Sequence, residues 1–161
     1  MKRLSIGIRI ISMVFLLSLA FSRCYENFSE LAADAGLAVE AQLAIDVKNV
    51  ALGKNAFASS VEFTGVEASM AVDGNMNTRW SAVEYHDPEW LYVDLGKNYD
   101  RSSIVLQWED AFAKKYIIQV SSDVSSWKDI YTEVNGNGGR DAITVTASGR
   151  FVRVYGTGRG T

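Results

Sequence analysis

At 161 residues the sequence fits one ordinary domain with a short extension, not two domains. Its single cysteine, Cys24, excludes an intramolecular disulfide framework, so stability must come from packing, helped by a metal if one binds. The formal net charge of −3 hides an asymmetry, because from Cys24 onward 12 Lys plus Arg stand against 19 Asp plus Glu, a balance of −7. An acidic surface of this kind disfavours nucleic acid and anionic lipid as general partners and suits neutral or cationic ones.

The chain opens with Lys2, Arg3 and Arg9, followed by an apolar run from Ile10 to Phe21 broken only by Ser12 and Ser18. That run is short for a bilayer span, and Ala20 and Ser22 put small residues at the −3 and −1 positions of a cut after Ser22. Residues 1–22 are therefore expected to be a secretory signal peptide, which places the protein outside the cytoplasm, secreted or at the cell surface. Two alternatives keep a membrane attachment: an uncleaved anchor, or a lipid on Cys24, for which Arg23 is a poor preceding residue. Residues 23–47 are rich in Ala, Leu and Glu, are interrupted by Gly36, and read as a spacer.

Near residue 48 the composition changes to short apolar runs separated by Gly, Asn, Asp and Ser. WLYVDL, SIVLQW, YIIQV, DIYTEV, AITVT and FVRVY follow one another at intervals of about a dozen residues, each of strand length, with turn clusters such as NGNGG between them. In YIIQVSS, Tyr116, Ile118 and Val120 share one face and Gln119 and Ser121 the other, the alternation of a half-buried strand. The pattern predicts an all-β antiparallel sandwich or barrel, with Trp80, Trp90, Trp108 and Trp127 read as core.

Between the spacer and these runs, AVDGNMNTRW carries Asp73, Asn75, Asn77 and Thr78 within six positions. Counted from Asp73, the oxygens follow EF-hand spacing as far as Glu84. The sixth position is Thr78 where Gly is required, and Pro88 follows where an exiting helix should run, so an EF-hand is excluded. Two readings stay open: an oxygen-rich cation loop, or an Asx-type turn without an ion.

NVALGKNAFASS, AVDGNMNTRWSA, EWLYVDLGKNY, WEDAFAKKYIIQVSSD, SSWKDIY and RFVRVYGTGRGT, in that order, resemble the discoidin or coagulation factor 5/8 type C family, galactose-binding-like domains that include the bacterial family 32 carbohydrate-binding modules. The resemblance covers residues 49–161 and implies a jelly-roll β-sandwich over residues 48–161. It also implies a structural calcium ion held by the Met70 carbonyl, the Asp73 carboxylate, the Asn75 carbonyl, and the carbonyl and hydroxyl of Thr78. Members of the family continue past the segment matching YGTGRGT into a closing strand, so a sandwich lacking its last strand is expected from a sequence that ends at Thr161.

Within the family the sequence is similar to the chitosan-binding discoidin modules of polysaccharide-degrading enzymes. That similarity implies sugar contacts at Glu62, Arg79, Glu84 and Glu109. Carboxylates accept hydrogen bonds from sugar hydroxyls and pair with the ammonium of glucosamine, while Arg79 donates in a rigid fork. Tyr85 and His86 could lay a flat face on a sugar ring. The expected function is a non-catalytic module binding the ends of a polysaccharide or oligosaccharide, chitosan favoured, with neutral β-glucan or galactoside as the alternative and lipid or protein adhesion further off. Glu84 and Glu109 could form a glycosidase pair on paper, but the segment has one histidine and no nucleophile motif, and an enzyme is not expected.

Overall fold

The computed structural model describes residues 5–6, 48–100 and 102–160. The expected signal peptide and spacer lie outside the described residues, apart from Ser5–Ile6 (β1), whose backbone pairs with Trp80–Ser81 (β3). Five strands form one antiparallel sheet in the order β2-β4-β9-β6-β7: Asn55–Ala58, Glu89–Tyr99, Gly149–Arg159, Ala113–Ser121 and Lys128–Glu133. Ser102–Gln107 (β5) pairs with Arg140–Val145 (β8) in a second sheet. The result is the all-β jelly-roll sandwich expected from the sequence.

The alternation read in the sequence sets the core. Leu91, Val93 and Leu95 of β4, Tyr116, Ile118 and Val120 of β6, and Val152 and Val154 of β9 point inward. They meet Ile104 and Leu106 of β5 and Ile143 and Val145 of β8. At one end the core is filled by Trp80, fully buried, and by Ala68 and Ala71 of a short 3-10 turn, Ala68–Ala71. The indole N–H of Trp80 donates to the Ser60 carbonyl at 2.8 Å, so the ring is buried without an orphaned donor.

Two expectations need correction. Trp80 and Trp108 are core residues, but Trp90 and Trp127 are not: both are half-buried against the outer face of the five-stranded sheet. Trp90 follows from the register, since it alternates with the inward Leu91. The β4 run also extends beyond Leu95, through a register shift between Asp94 and Tyr99 in which Gly96 takes φ +83°. GKN, which follows the WLYVDL run, acts as a bulge in the fold.

Candidate functional site

Six strand ends converge at one pole of the sandwich, with Ala58 at the end of β2 opposite Leu91 of β4. Glu89 at the start of β4 lies opposite Gly156 near the end of β9, Ala113 at the start of β6 opposite Arg159, and Gln107 at the end of β5 opposite Arg140. The segments at residues 59–65, 82–88 and 108–112 therefore emerge together, and they carry Glu62, Glu84, Tyr85, His86 and Glu109. None of these residues is in a strand, which leaves their side chains answerable to loop packing.

The residues from Asp73 to Thr78 form a tight oxygen-lined loop after the 3-10 turn. Asp73 Oδ1 accepts the Asn75 amide at 2.8 Å, and Asn75 Oδ1 accepts the Asn77 amide at 3.0 Å. The Thr78 hydroxyl lies 2.6 Å from Asp73 Oδ2 and 3.0 Å from the Asn75 carbonyl, although it has one proton for two acceptors. Gly74 is required here, because it sits at φ +83° and a Cβ would come 2.7 Å from Leu52 Cδ1. The donor set suits a hard cation: a carboxylate, a carbonyl and a hydroxyl, all oxygen, gathered around one hydroxyl. Bound there, calcium would be held by Asp73, Asn75 and Thr78, with the Met70 carbonyl one turn before them. The same contacts also serve an Asx-type turn without an ion.

Beside this loop opens a concavity of about 240 Å³, whose lining includes Met70, Asp73, Thr78, Arg79, Trp108 and Glu109. Three of the four residues expected to hold metal, Met70, Asp73 and Thr78, and two of those expected to hold sugar, Arg79 and Glu109, thus border one cavity. Across it Arg79 Nη1 stands 3.6 Å from Glu109 Oε1, within ion-pair reach but beyond hydrogen-bond length. Arg79 Nε is buried with no partner among the described residues, while the side chain, 28% exposed, borders the cavity. Both side chains are partly exposed, and the pair is worth about 1 kcal/mol or less.

The other expected sugar contacts, Glu62, Glu84, Tyr85 and His86, are not in the lining of the cavity. The Ser81 hydroxyl donates to Glu62 Oε2 at 2.7 Å, and the Glu62 amide donates to the Ser81 carbonyl at 2.9 Å, which fixes the Glu62 loop on β3. Glu84 is half-buried, while Tyr85 and His86 are exposed. Tyr85 holds φ +61°, uncommon for a residue with a Cβ, and its ring lies 5.6 Å from the Arg159 guanidinium.

Sequence reasoning missed several residues at this pole. Arg159 pairs with Asp87 at 3.1 Å, tying the end of β9 to the loop that presents Tyr85 and His86, and its Nη2 is buried without a partner among the described residues. Gln107, Trp108 and Met76 also line the cavity. Arg159 was visible only as part of GTGRGT, and its pairing with a residue 72 positions earlier has no local signature.

The sequence was compared with known proteins and solved structures. Residues 55–161 match the F5/8 type C domain model. Among solved structures, chitosan-binding module 2 of a chitosanase/glucanase from Paenibacillus sp. IK-5, solved in complex with chitotriose, is 44% identical. It aligns over 70% of this chain and 90% of its own with a TM-score of 0.67. Chitosan-binding module 1 of the same enzyme is 48% identical over 70% of this chain and 88% of its own, also with a TM-score of 0.67. A Clostridium perfringens protein named CpGH89CBM32-5, solved with GalNAc-β-1,3-galactose, is 22% identical with a TM-score of 0.56 over 65% of this chain and 84% of its own, a likeness that bears on the fold alone. A polysaccharide lyase 8 family protein, HylA of Enterococcus faecalis, is 46% identical over 70 residues, which are 44% of this chain and 5% of that protein. With the family model matched along the whole length of the sandwich, from β2 onward, the chain belongs to the F5/8 type C domain family.

Proposed function

We propose that this domain is a non-catalytic carbohydrate-binding module of an exported protein, which takes the end of a chitosan chain at the loop pole. The observation that carries the reading is the cavity edged by Arg79 and Glu109, in a sandwich 44–48% identical to two modules described as chitosan-binding. Glu109, Glu84 and Glu62 would accept from hydroxyl and ammonium groups, and the guanidinium of Arg79, which lines the cavity, would donate. Tyr85, fixed by Arg159 and 78% exposed, and the neighbouring His86 would offer a ring face to the sugar. We further propose a structural calcium in the Asp73–Thr78 loop, which would brace the wall of the cavity next to Arg79. On this reading the site holds a sugar through a donor fork and acceptors.

One observation favours a second reading. Glu62 is engaged by Ser81, and Glu109 faces Arg79, so less negative charge is left for an ammonium than three free carboxylates would supply. A neutral β-glucan or galactoside would fit such a partly compensated site. A binding panel of chitosan, laminarin and galactoside oligomers on the full chain separates the readings. Chitosan should bind best, with affinity falling as salt rises to about 0.5 M, since its pairs are electrostatic. Glu109→Ala or Arg79→Ala should weaken it about tenfold while leaving the melting point within a few degrees. Equal or better binding of a neutral oligomer, insensitive to salt, would overturn the cationic reading in favour of the neutral one.

A further inference from the structure

The outer face of the five-stranded sheet carries a row of side chains that crosses every strand. The registers align Phe57 of β2 with Tyr92 of β4, Tyr92 with Arg153 of β9, Arg153 with Gln119 of β6, and Gln119 with Asp129 of β7. Phe57 and Tyr92 stack at 4.9 Å and Trp90 stacks on Tyr92 at 5.5 Å. From the turn between β6 and β7, Trp127 folds back onto the row, 5.6 Å from Tyr92.

Arg153 sits in the middle of this apolar surface and is held from several sides. Its guanidinium carbon lies 4.0 Å from the centre of the Trp127 ring and 5.2 Å from that of Tyr155. Its Nε donates to Gln119 Oε1 at 2.7 Å. Asp129, the acid that could have neutralised it, accepts instead from Gln119 Nε2 at 2.6 Å. Arg79, Arg150 and Arg159 each stand beside a carboxylate, whereas Arg153 has none within ion-pair distance among the described residues. Burial against the rings works against its charge and lowers its pKa, with Tyr155 and Asp129 compensating in part. Arg153 is half-buried, with its Nε committed to Gln119 and no hydrogen bond from either Nη among the described residues.

We propose that this face is a second glycan-binding surface, separate from the loop pole, and that it takes a carboxylate-bearing pyranose, the uronate unit of an acidic polysaccharide. The Nη edge of Arg153 would bind the carboxylate bidentately, and the half-buried rings of Tyr92 and Trp127 and the exposed ring of Phe57 would cover the apolar side of the sugar. Stacking and the Gln119 bond fix the fork before ligand arrives, which reduces the ordering cost of binding. A peptide carboxylate offers the same charge. However, a peptide laid across this face would find the sheet's own backbone groups already paired, whereas sugar hydroxyls at the edge can stay in water. The acidic balance of the domain opposes loose attraction of polyanions, so binding should depend on this one fork.

The test is an NMR titration of the full chain with trigalacturonate, its carboxyl-reduced counterpart and hexaglutamate, following the Trp127 indole N–H and the Arg153 Nε–H. Trigalacturonate should shift both signals saturably, with the reduced trimer weaker by about tenfold or more. Arg153→Lys keeps the charge and loses the fork. It should weaken trigalacturonate about tenfold while changing the affinity for chitotriose less than about twofold. If the lysine variant melts early, the shifts in the unmodified protein decide. The proposal is overturned if trigalacturonate leaves Trp127 and Arg153 unmoved, if the reduced trimer or hexaglutamate binds as well, or if Arg79→Ala removes the response and Arg153→Lys does not.

Discussion

Asp141→Ala should lower the free energy of unfolding by about 3 kcal/mol. One carboxylate oxygen, Oδ2, accepts both from the Trp108 indole at 2.6 Å and from the Tyr116 hydroxyl at 2.7 Å. These rings are 4% and 1% exposed, and the Tyr116 bond ties β8 of one sheet to β6 of the other while the Trp108 bond ties β8 to the residue that follows β5, at the pole where the cavity lies. Removing the acceptor leaves two buried donors without partners, each costing more than an average hydrogen bond contributes. Asp141→Asn keeps an acceptor oxygen and should cost less, about 1 kcal/mol. Urea midpoints measure both. The cluster also makes the fold alkali-sensitive, because burial first, and then donation to Asp141 and its charge, push the Tyr116 pKa far above the usual phenol range. Tyr131 is raised as well, mainly by its bond to Glu133. A folded pKa above the unfolded one gives stability that is fully present below about pH 10 and is lost as pH rises through the folded value. The midpoint should therefore hold up to about pH 9.5 and drop between about pH 10 and pH 11.5, and Tyr116→Phe should flatten the drop; a midpoint level across that upper interval would count against the account of the cluster.

Calcium should raise the melting temperature of the EDTA-treated protein by about 10 °C at a hundredfold excess over its dissociation constant, equivalent to about 2.7 kcal/mol. The reason is local: Asp73 Oδ2, the Asn75 carbonyl and the Thr78 hydroxyl crowd together with one proton among them, and a cation would relieve that shortage. Asp73→Ala should remove the shift. It should also lower the melting point of the metal-free protein slightly, since the Asn75 amide and the Thr78 hydroxyl both donate to this carboxylate. A melting curve that stays put on adding EDTA and then excess calcium would assign the loop to the metal-free turn. Because the loop borders Arg79, calcium should also tighten sugar binding, by holding in place a wall of the cavity that would otherwise have to be ordered on binding.

The strands were legible in the sequence because their information is local. Alternation in WLYVDL and YIIQVSS, with Gly and Asn between runs, is a property of neighbouring residues, and the inward set of Leu91, Val93, Tyr116, Ile118 and Val120 follows from it. NAFA was not legible as a strand from periodicity, since its small alanines give no contrast and it lies at the sheet edge beside β4. Trp127 looked like core for the same local reason that the strands were readable: a large aromatic in a β-rich stretch usually packs inside. Its position over Arg153 depends on a turn folding back across the sheet. The meeting of Arg79 with Glu109, and of Arg159 with Asp87, likewise depends on strand order. Resemblance supplied the first pair, and nothing in the sequence supplied the second. The transverse row from Phe57 to Asp129 exists only once all four registers are known.

Carbohydrate binding at the loop pole is tested most directly by mapping amide shifts of the full chain on titration with chitotriose. The expected result is a saturable set of shifts at Arg79, Glu84, Tyr85, Trp108 and Glu109, around the cavity and its neighbouring loop, with Arg153 and Trp127 unmoved. Affinity for the single trimer should be weak, in keeping with partly exposed ion pairs worth about 1 kcal/mol or less each. Shifts confined to the sheet face, or no shifts from chitotriose, laminaritriose or lactose at millimolar concentration, would contradict a carbohydrate site at this pole.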